Sequence, residues 1–403
     1  FLLLAAAIGF ALYLTPAEDR RRRLGLLAAV PVLGFFQIVT STWSFPSVFG
    51  VTYLALAFAP ADPTALLPRG AAERIRAVRH SVSESLADEG TGTADTDGGT
   101  HRALAELERL LVPLGIVGGL VAVAAVLAVP FLSRTMTGGS ERSIEFLPAA
   151  ARSGMLELFA VHGAFLVVFG IYLLSRIERG RRAPLALAVV GVGALAVTLP
   201  LDVLAFTLPL LVVGWAVLRF RDAGYETVLI VAGAGLVTIV EIVYVSEQAG
   251  PLRMNTVFKT YMQIWVLWGV GAGGAVAGLL GTARRKLSVP DGGAELGLRA
   301  LGSVGVVVAL LVVSTSVYGG FALSGHFADT GDPTLDATEL PEWHGYEESE
   351  LAAVDWLDRT ADGDTVIVSA PAQGGTPGMY NWNSAIASSL TGVPTVVGWA
   401  HEV

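Results

Sequence analysis

The chain has 403 residues, of which 53% are hydrophobic and only 15% are charged, and its mean hydropathy is +0.62. This composition excludes an ordinary soluble globular protein and predicts one that crosses a membrane many times. The chain contains no Cys, which excludes a disulfide framework and a thiolate site. The net charge of −9 argues against nucleic acid as a partner, and acidic loops with few Lys indicate an organism that lives at high salt.

Ten apolar segments are about long enough to cross a hydrocarbon core of about 30 Å, so we predict an all-α polytopic membrane protein with about ten transmembrane helices. The predicted spans are 1–14, 25–41, 46–60, 112–131, 155–174, 184–200, 203–219, 227–245, 258–281 and 299–321. The first run begins at Phe1 without a charged flank and is short, so we expect the sequence to be cut from a longer protein.

The basic residues predict the orientation of the chain in the cell membrane. When the ten spans alternate, all but six of the 26 Lys and Arg fall on one side, which we therefore expect to be cytoplasmic. The other six lie on the exterior side, against this bias, so the position of each cation needs a local explanation. They are Arg134, Arg142, Arg152, Arg253, Lys259 and Arg359.

We predict a membrane body at 1–322 that is interrupted by a cytoplasmic insert at 61–111. The centre of the insert, 87–100, is rich in Gly, Thr and Asp, which predicts disorder. On either side of this centre, 71–86 and 101–111 have the pattern of short amphipathic helices that lie on the inner membrane surface.

The tail from 323 to 403 has a different pattern, in which helices alternate with short apolar strands, and we predict an exterior α/β domain. Its predicted elements are a helix at 348–359, a strand at 364–370, a short helix at 384–390 and a strand at 393–399. The Gly-rich connection 373–378 has no nucleotide-binding fingerprint, and turn chemistry is the preferred interpretation.

The segment 253–265, RMNTVFKTYMQIW, places two cations at the mouth of a predicted span. An ionisable residue at such a position is a functional-site hypothesis. Arg253 and Lys259 with free donors would form an anion site, whereas full pairing with the acid at Glu241 would make the cluster structural. Both interpretations stay open from the residues alone.

Other polar residues fall near the same predicted membrane face. Trp43 lies in a WSFP segment typical of an interfacial turn. Arg152 is placed where it could form an ion pair with Glu157, and ligand binding by these residues is the equally weighted alternative. Glu157 and His162 open one span and share a helical face only loosely. No catalytic triad or metal motif is visible, so the sequence shows no catalytic residue.

Five segments in chain order resemble the archaeal and Chloroflexus-type membrane proteins named for a triple-tyrosine motif. The segments are TSTWSFPS (40–47), RSGMLELFAVHG (152–163), RMNTVFKTYMQIW (253–265), AVDWLD (353–358) and SSLTGVPTVVGWAHE (388–402). That family is grouped by fold with the C-type glycosyltransferases, which use polyprenyl-phosphate sugars at the exterior membrane face. The sequence departs from the family pattern in having no adjacent Tyr residues, and in having Ser44 where an acid is expected.

The resemblance implies donor-phosphate contacts from Arg253 and Lys259, with Asn255, Tyr261 and Gln263 as supporting polar groups. The other polar residues expected around this site are Glu241, Arg152, Glu157, His162 and Trp43. The resemblance also implies a membrane lipid as partner and a polyprenyl-phosphate sugar as donor. It requires no cofactor, and a divalent metal is left open. The general base is expected upstream of Phe1.

Two other functions remain as alternatives to the glycosyltransferase. One is a non-catalytic membrane protein that binds or organises lipid or envelope components. The other, a secondary transporter, is less favoured because the sequence has no internal repeat and its polar residues cluster at one face.

Overall fold

The computed structural model describes residues 1–41, 43–89, 94–135, 143–221, 223–246, 252–287, 293–328, 347–368 and 386–396, and these ranges are almost entirely helical. Their α-helices are α1 (Leu2–Leu14), α2 (Arg20–Thr40), α3 (Phe45–Phe58), α4 (Arg69–Glu89), α5 (Ala94–Thr135), α6 (Met155–Arg176), α7 (Arg179–Thr198), α8 (Asp202–Phe220), α9 (Tyr225–Val240), α10 (Met254–Leu287), α11 (Gly293–Ala328), α12 (Glu348–Thr360) and α13 (Ile386–Thr391). Two short 3-10 helices, Pro63–Leu66 and Ala149–Ala151, and two strands, β1 (Ser143–Phe146) and β2 (Val243–Ser246), are the other described elements. The chain separates into two compact units, Phe1–Val312 and Val313–Val403.

Seven helices within the described ranges are long and apolar enough to cross a membrane: α2, α5, α6, α7, α8, α10 and α11. The other three predicted spans coincide with shorter apolar helices, α1, α3 and α9, of 13, 14 and 16 residues. The all-α polytopic class is therefore confirmed, whereas the count of ten spans stays a prediction.

The first unit has its main core around α9, which packs against α8 and α10. The fully buried Trp268 of α10 lies in this core, and its indole Nε1 donates to the carbonyl of Ile230 on α9 at 3.1 Å. The ring also meets Phe169 of α6 edge-on, with 5.4 Å between the centroids. A second core lies between α1, α2, α3 and α5. In the first core, the contacts of Trp268 hold α10 against α6 and α9.

The predicted insert contains more helix than expected. α4 extends the first predicted amphipathic helix in both directions. The second, 101–111, is part of α5, which continues without a break through the predicted span 112–131. Residues 94–100, for which we expected disorder, form the first turns of α5, and 90–93 lie outside the described residues.

In the second unit, the predicted helix at 348–359 is confirmed as α12, and the predicted short helix at 384–390 corresponds to α13. The described parts of the two predicted strands meet in one parallel bridge, Ile367 with Thr395. The Gly-rich segment 373–378, Arg142 and the end of the second strand lie outside the described residues.

Gly233 of α9 is required by the close approach of α10, because a methyl group at this position would overlap the Trp268 indole. We expect Gly233→Ala to lower the unfolding free energy by about 1–3 kcal/mol, the usual cost of overpacking a filled core. Gly235→Ala is the matched control, since nothing lies within 4 Å of a methyl group there. Melting temperatures of the purified protein in detergent measure both effects, and equal values for the two variants would contradict this packing.

Candidate functional site

A small antiparallel ribbon marks one end of the helices of the first unit. β1 pairs with β2 from Ser143 opposite Ser246 to Phe146 opposite Val243, and the Leu147 N–H donates to the Ile242 carbonyl at 2.8 Å. Sequence analysis missed this ribbon: it predicted a loop for β1 and the end of a span for most of β2. SIEF alternates polar and apolar residues and VYVS does so only in part, but each run is just four residues long, so the signal was short. We call this end of the molecule the ribbon end.

Hydrogen bonds tie the ribbon to itself. Ser143 Oγ and Tyr244 Oη each donate to the Glu145 carboxylate, both at 2.8 Å. These bonds hold the pKa of Glu145 below its ordinary value, because they stabilise the charged form. The Val245 N–H donates to Thr256 Oγ1 at 3.1 Å, which connects the ribbon to the first turn of α10.

Glu241 lies directly below the ribbon, at the end of α9, and its side chain is fully buried. Its Oε1 forms an ion pair with Arg253, whose side chain is 15% exposed, and accepts from Tyr261 Oη at 3.3 Å. Its Oε2 accepts from the Ser153 N–H at 2.8 Å, and Arg253 Nη2 donates to Ser153 Oγ at 2.8 Å. The network therefore neutralises the charge of Arg253 and joins the ends of α6, α9 and α10.

Three carboxylates bind three successive backbone N–H groups at the start of α6. Glu241 accepts from Ser153, Glu157 from Gly154 at 3.0 Å, and Asp202 from Met155 at 3.1 Å. The first N–H groups of a helix lack partners within the helix, so these acids satisfy them and complement the helix dipole. Their role in this structure is to cap α6.

The predicted ion pair between Arg152 and Glu157 is wrong, because this capping gives both groups other partners. Glu157 turns back onto Gly154, while Arg152 donates to the carbonyls of Pro200 at 3.2 Å and Leu147 at 3.3 Å. Arg152 therefore joins two loops at the ribbon end.

Lys259 has a different environment from Arg253. It is partly exposed, and among the residues that the structure describes it has no carboxylate partner; its ammonium lies 5.4 Å from the ring centroid of Phe258. Tyr261, which faces Glu241, lies two residues after Lys259 on α10. Its side chain therefore points about 200° around the helix from that of Lys259. Arg253 and Lys259 consequently face different surroundings. Of the two predicted phosphate contacts, Lys259 is the one whose charge is not neutralised within the described part of the chain.

The surface around Lys259 is amphipathic. Asn255 lies one turn before Lys259, is partly exposed, and its side-chain amide makes no hydrogen bond with any described residue. Beside this polar row, Met254, Phe258 and Met262 form an apolar stripe in which each residue is 48–62% exposed. A lone cation beside exposed apolar side chains at the end of a membrane helix is suited to an anionic amphiphile.

Gln263 and Trp43 connect α10 to the start of α3. The buried Gln263 donates through Nε2 to the carbonyls of Trp43 at 3.2 Å and Lys259 at 2.8 Å, and its Oε1 accepts from Ser47 Oγ. Both residues therefore form a structural link that fixes the turn carrying Lys259, and their supporting role at a phosphate site stays a prediction.

His162 is fully buried about two turns after the start of α6. Its ring meets Tyr261 at 4.8 Å and Trp268 at 5.4 Å between centroids, and neither ring nitrogen has a hydrogen-bond partner among the described residues. Glu157 is exposed at the helix start, so the two residues do not share a site.

No group of three or more His, Asp or Glu that could hold a metal ion occurs among the residues that the structure describes. The carboxylates at the ribbon end lie near one another, but hydrogen bonds from backbone N–H groups direct them to the start of α6.

Comparison with protein families gives one match, to the model of an uncharacterized membrane protein family (DUF2298), over residues 1–268. The chain belongs to this family. The matched residues include every polar residue singled out at the ribbon end, from Trp43 to Gln263, and support an integral membrane protein. No curated protein and no solved structure matches the chain.

The buried ion pair gives a stability prediction. Glu241→Gln leaves the Arg253 charge without its partner, and we expect a loss of about 3–5 kcal/mol in the free energy of unfolding. Adding Arg253→Met to this variant should recover part of the loss, because the unpaired cation is then removed. Thermal unfolding in detergent is the measurement.

The matched control for this prediction is Glu178→Gln, which breaks an exposed pair with Arg221 at 2.8 Å and should change the melting temperature little. If Glu241→Gln is as mild as Glu178→Gln, the buried pair does not hold the helix ends together.

Proposed function

We propose that the ribbon end binds the phosphate group of a membrane lipid at Lys259, and that the protein is a glycosyltransferase of the C type. It would transfer a sugar from a polyprenyl phosphate to an acceptor at the exterior membrane face. The observation that carries the binding site is Lys259, a partly exposed cation with no carboxylate partner in the described part of the chain. The transfer reaction rests on the sequence resemblance.

The surroundings of Lys259 favour a lipid over a soluble anion. The ammonium group supplies up to three donors to phosphate oxygens, and the Asn255 amide one turn away supplies two more. The exposed stripe of Met254, Phe258 and Met262 offers an apolar surface along which the isoprenoid chain of the same ligand would lie. One amphipathic ligand would therefore meet both features of this surface.

Arg253 is the weaker of the two predicted phosphate contacts. Its charge is already balanced by Glu241, and two of its nitrogens are engaged with Glu241 and Ser153. Its contribution is to fix the first turn of α10, which carries Asn255, while Gln263 holds the next turn, which carries Lys259.

In the proposed reaction an acceptor hydroxyl oxygen attacks the anomeric carbon of the lipid-linked sugar. The bond between that carbon and the phosphate oxygen breaks, the phosphate keeps the electron pair, and the hydroxyl proton passes to a general base. Lys259 would stabilise the negative charge that develops on the leaving phosphate.

A second function, a non-catalytic protein that binds or organises lipid, is favoured by one observation. The carboxylates of Glu145, Glu157, Asp202 and Glu241 at the ribbon end already accept hydrogen bonds from the protein. Each of these four therefore already has a structural role at this end of the protein. Lipid binding at Lys259 is common to both functions.

The test compares binding of a polyprenyl phosphate with binding of the corresponding uncharged polyprenol by native mass spectrometry. We expect the wild-type protein to prefer the phosphate, and Lys259→Gln to lose most of this preference, by about tenfold. Lys259→Arg keeps the charge and should retain it. Arg284→Gln is the matched control, because Arg284 is an exposed cation near the other end of α10.

A wild-type protein without preference for the phosphate, or an unchanged preference in Lys259→Gln, would contradict the site. Incubation with a polyprenyl-phosphate sugar and candidate acceptors then separates the two functions. Release of free polyprenyl phosphate with formation of a glycosylated product supports the transferase, and stable binding without release supports the non-catalytic function.

A further inference from the structure

A second positively charged site lies at the other end of α3 from the ribbon end. A cavity of about 390 Å³ opens between the start of α2, the 3-10 helix Pro63–Leu66 and the first two turns of α4. Its lining includes three arginines, Arg20, Arg69 and Arg76. Trp43 and Gln263 meet at the start of α3, whereas this cavity follows its end, so the two sites are distinct.

The backbone around the 3-10 helix fixes one of these arginines. Arg20 Nε donates to the Ala65 carbonyl at 3.0 Å, and Nη2 donates to the carbonyls of Leu66 at 3.2 Å and Leu67 at 3.4 Å. These carbonyls orient the guanidinium without neutralising its charge. Nη1 makes no hydrogen bond with a described residue, so its donors remain available.

The other two arginines lie on one face of α4. Arg69, Ala72 and Arg76 have the spacing i, i+3 and i+7, and the buried Ala72 between the two cations keeps the cavity open. Both Arg69 and Arg76 are exposed, and within the described ranges neither has a carboxylate partner. Three guanidinium groups thus converge on one space with no acid among its lining residues.

Two acids lie close to the cavity. Glu73 of α4 is not among its lining residues and forms no ion pair with another described residue, and Asp62 is bound by its own turn. Asp62 Oδ1 accepts from the N–H of Thr64 at 2.8 Å and from its Oγ1 at 2.9 Å. Arg23, which is fully buried one turn after Arg20, donates to the Asp62 carbonyl at 3.3 Å and adds a further positive charge behind the cavity. The local balance therefore stays positive although the whole chain carries a net charge of −9.

We propose that this cavity binds a phosphate group, which a lipid headgroup or a soluble phosphate would supply. Arginine forks match phosphate oxygens in pairs, and a cavity of this volume accommodates a phosphate with a small attached group. The site lies where α2 enters its apolar span, on the side to which the ten-span prediction assigns most of the basic residues, and clusters of Arg next to a membrane helix recognise anionic headgroups.

The experiment uses the whole chain in lipid nanodiscs and in detergent. Native mass spectrometry measures binding of phosphatidylglycerol against the zwitterionic phosphatidylcholine. We expect the double variant Arg69→Gln/Arg76→Gln to lower phosphatidylglycerol binding by about tenfold and to leave phosphatidylcholine binding unchanged. The single variant Arg76→Gln, an exposed substitution, should lower it by a smaller factor and decides the question if the double variant does not fold.

The matched control is Arg21→Gln/Arg74→Gln. It removes two exposed arginines, one from α2 and one from α4, that do not line the cavity. Inorganic phosphate added as competitor identifies the source of the group: displacement of the lipid at millimolar phosphate indicates a soluble phosphate site, and no displacement indicates a headgroup site. Equal losses in the cavity and control variants would overturn the proposal, because binding would then follow total charge. A wild type that neither prefers phosphatidylglycerol over phosphatidylcholine nor binds inorganic phosphate would overturn it as well.

Discussion

The buried ion pair between Glu241 and Arg253 is the interaction on which the ribbon end depends. A carboxylate with no exposed surface is costly in a membrane protein unless its charge and its lone pairs are satisfied. Here Arg253 supplies the charge, and Ser153 and Tyr261 supply the donors. Because these partners come from the start of α6 and from α10, satisfying one acid sets the positions of three helix ends.

The cations at this end consequently have different roles. Arg253 is neutralised by Glu241, and Arg152 binds loop carbonyls. Lys259 lies on another side of α10, where the described surface offers it an aromatic ring and exposed apolar side chains but no acid. Among the described residues this ammonium has no counter-charge, and the proposed ligand would supply one.

The sequence predicted the polytopic helical class because long apolar runs leave few alternatives in a membrane. It also indicated Glu241 as a buried acid that needs a cation, but it offered both Arg253 and Lys259 as partners, and only the structure assigns Arg253 to this acid. The predicted contact between Arg152 and Glu157 was wrong because sequence proximity does not reveal that the N–H of Gly154 and the carbonyls of Pro200 and Leu147 compete for these groups. The capping of α6 by Asp202 depends on packing of α6 against α8, which no local pattern records.

The chain has two Lys residues, Lys259 and Lys286, which permits a direct test of the central claim. Protein labelled with ¹⁵N at lysine and loaded with a polyprenyl phosphate in membranes is suited to solid-state NMR measurement of the ³¹P–¹⁵N dipolar coupling. The account predicts that the phosphorus dephases one of the two ammonium signals, and that this signal is the one absent from Lys259→Arg. Dephasing of the Lys286 signal alone, or of neither signal in a sample that retains the lipid, would contradict it.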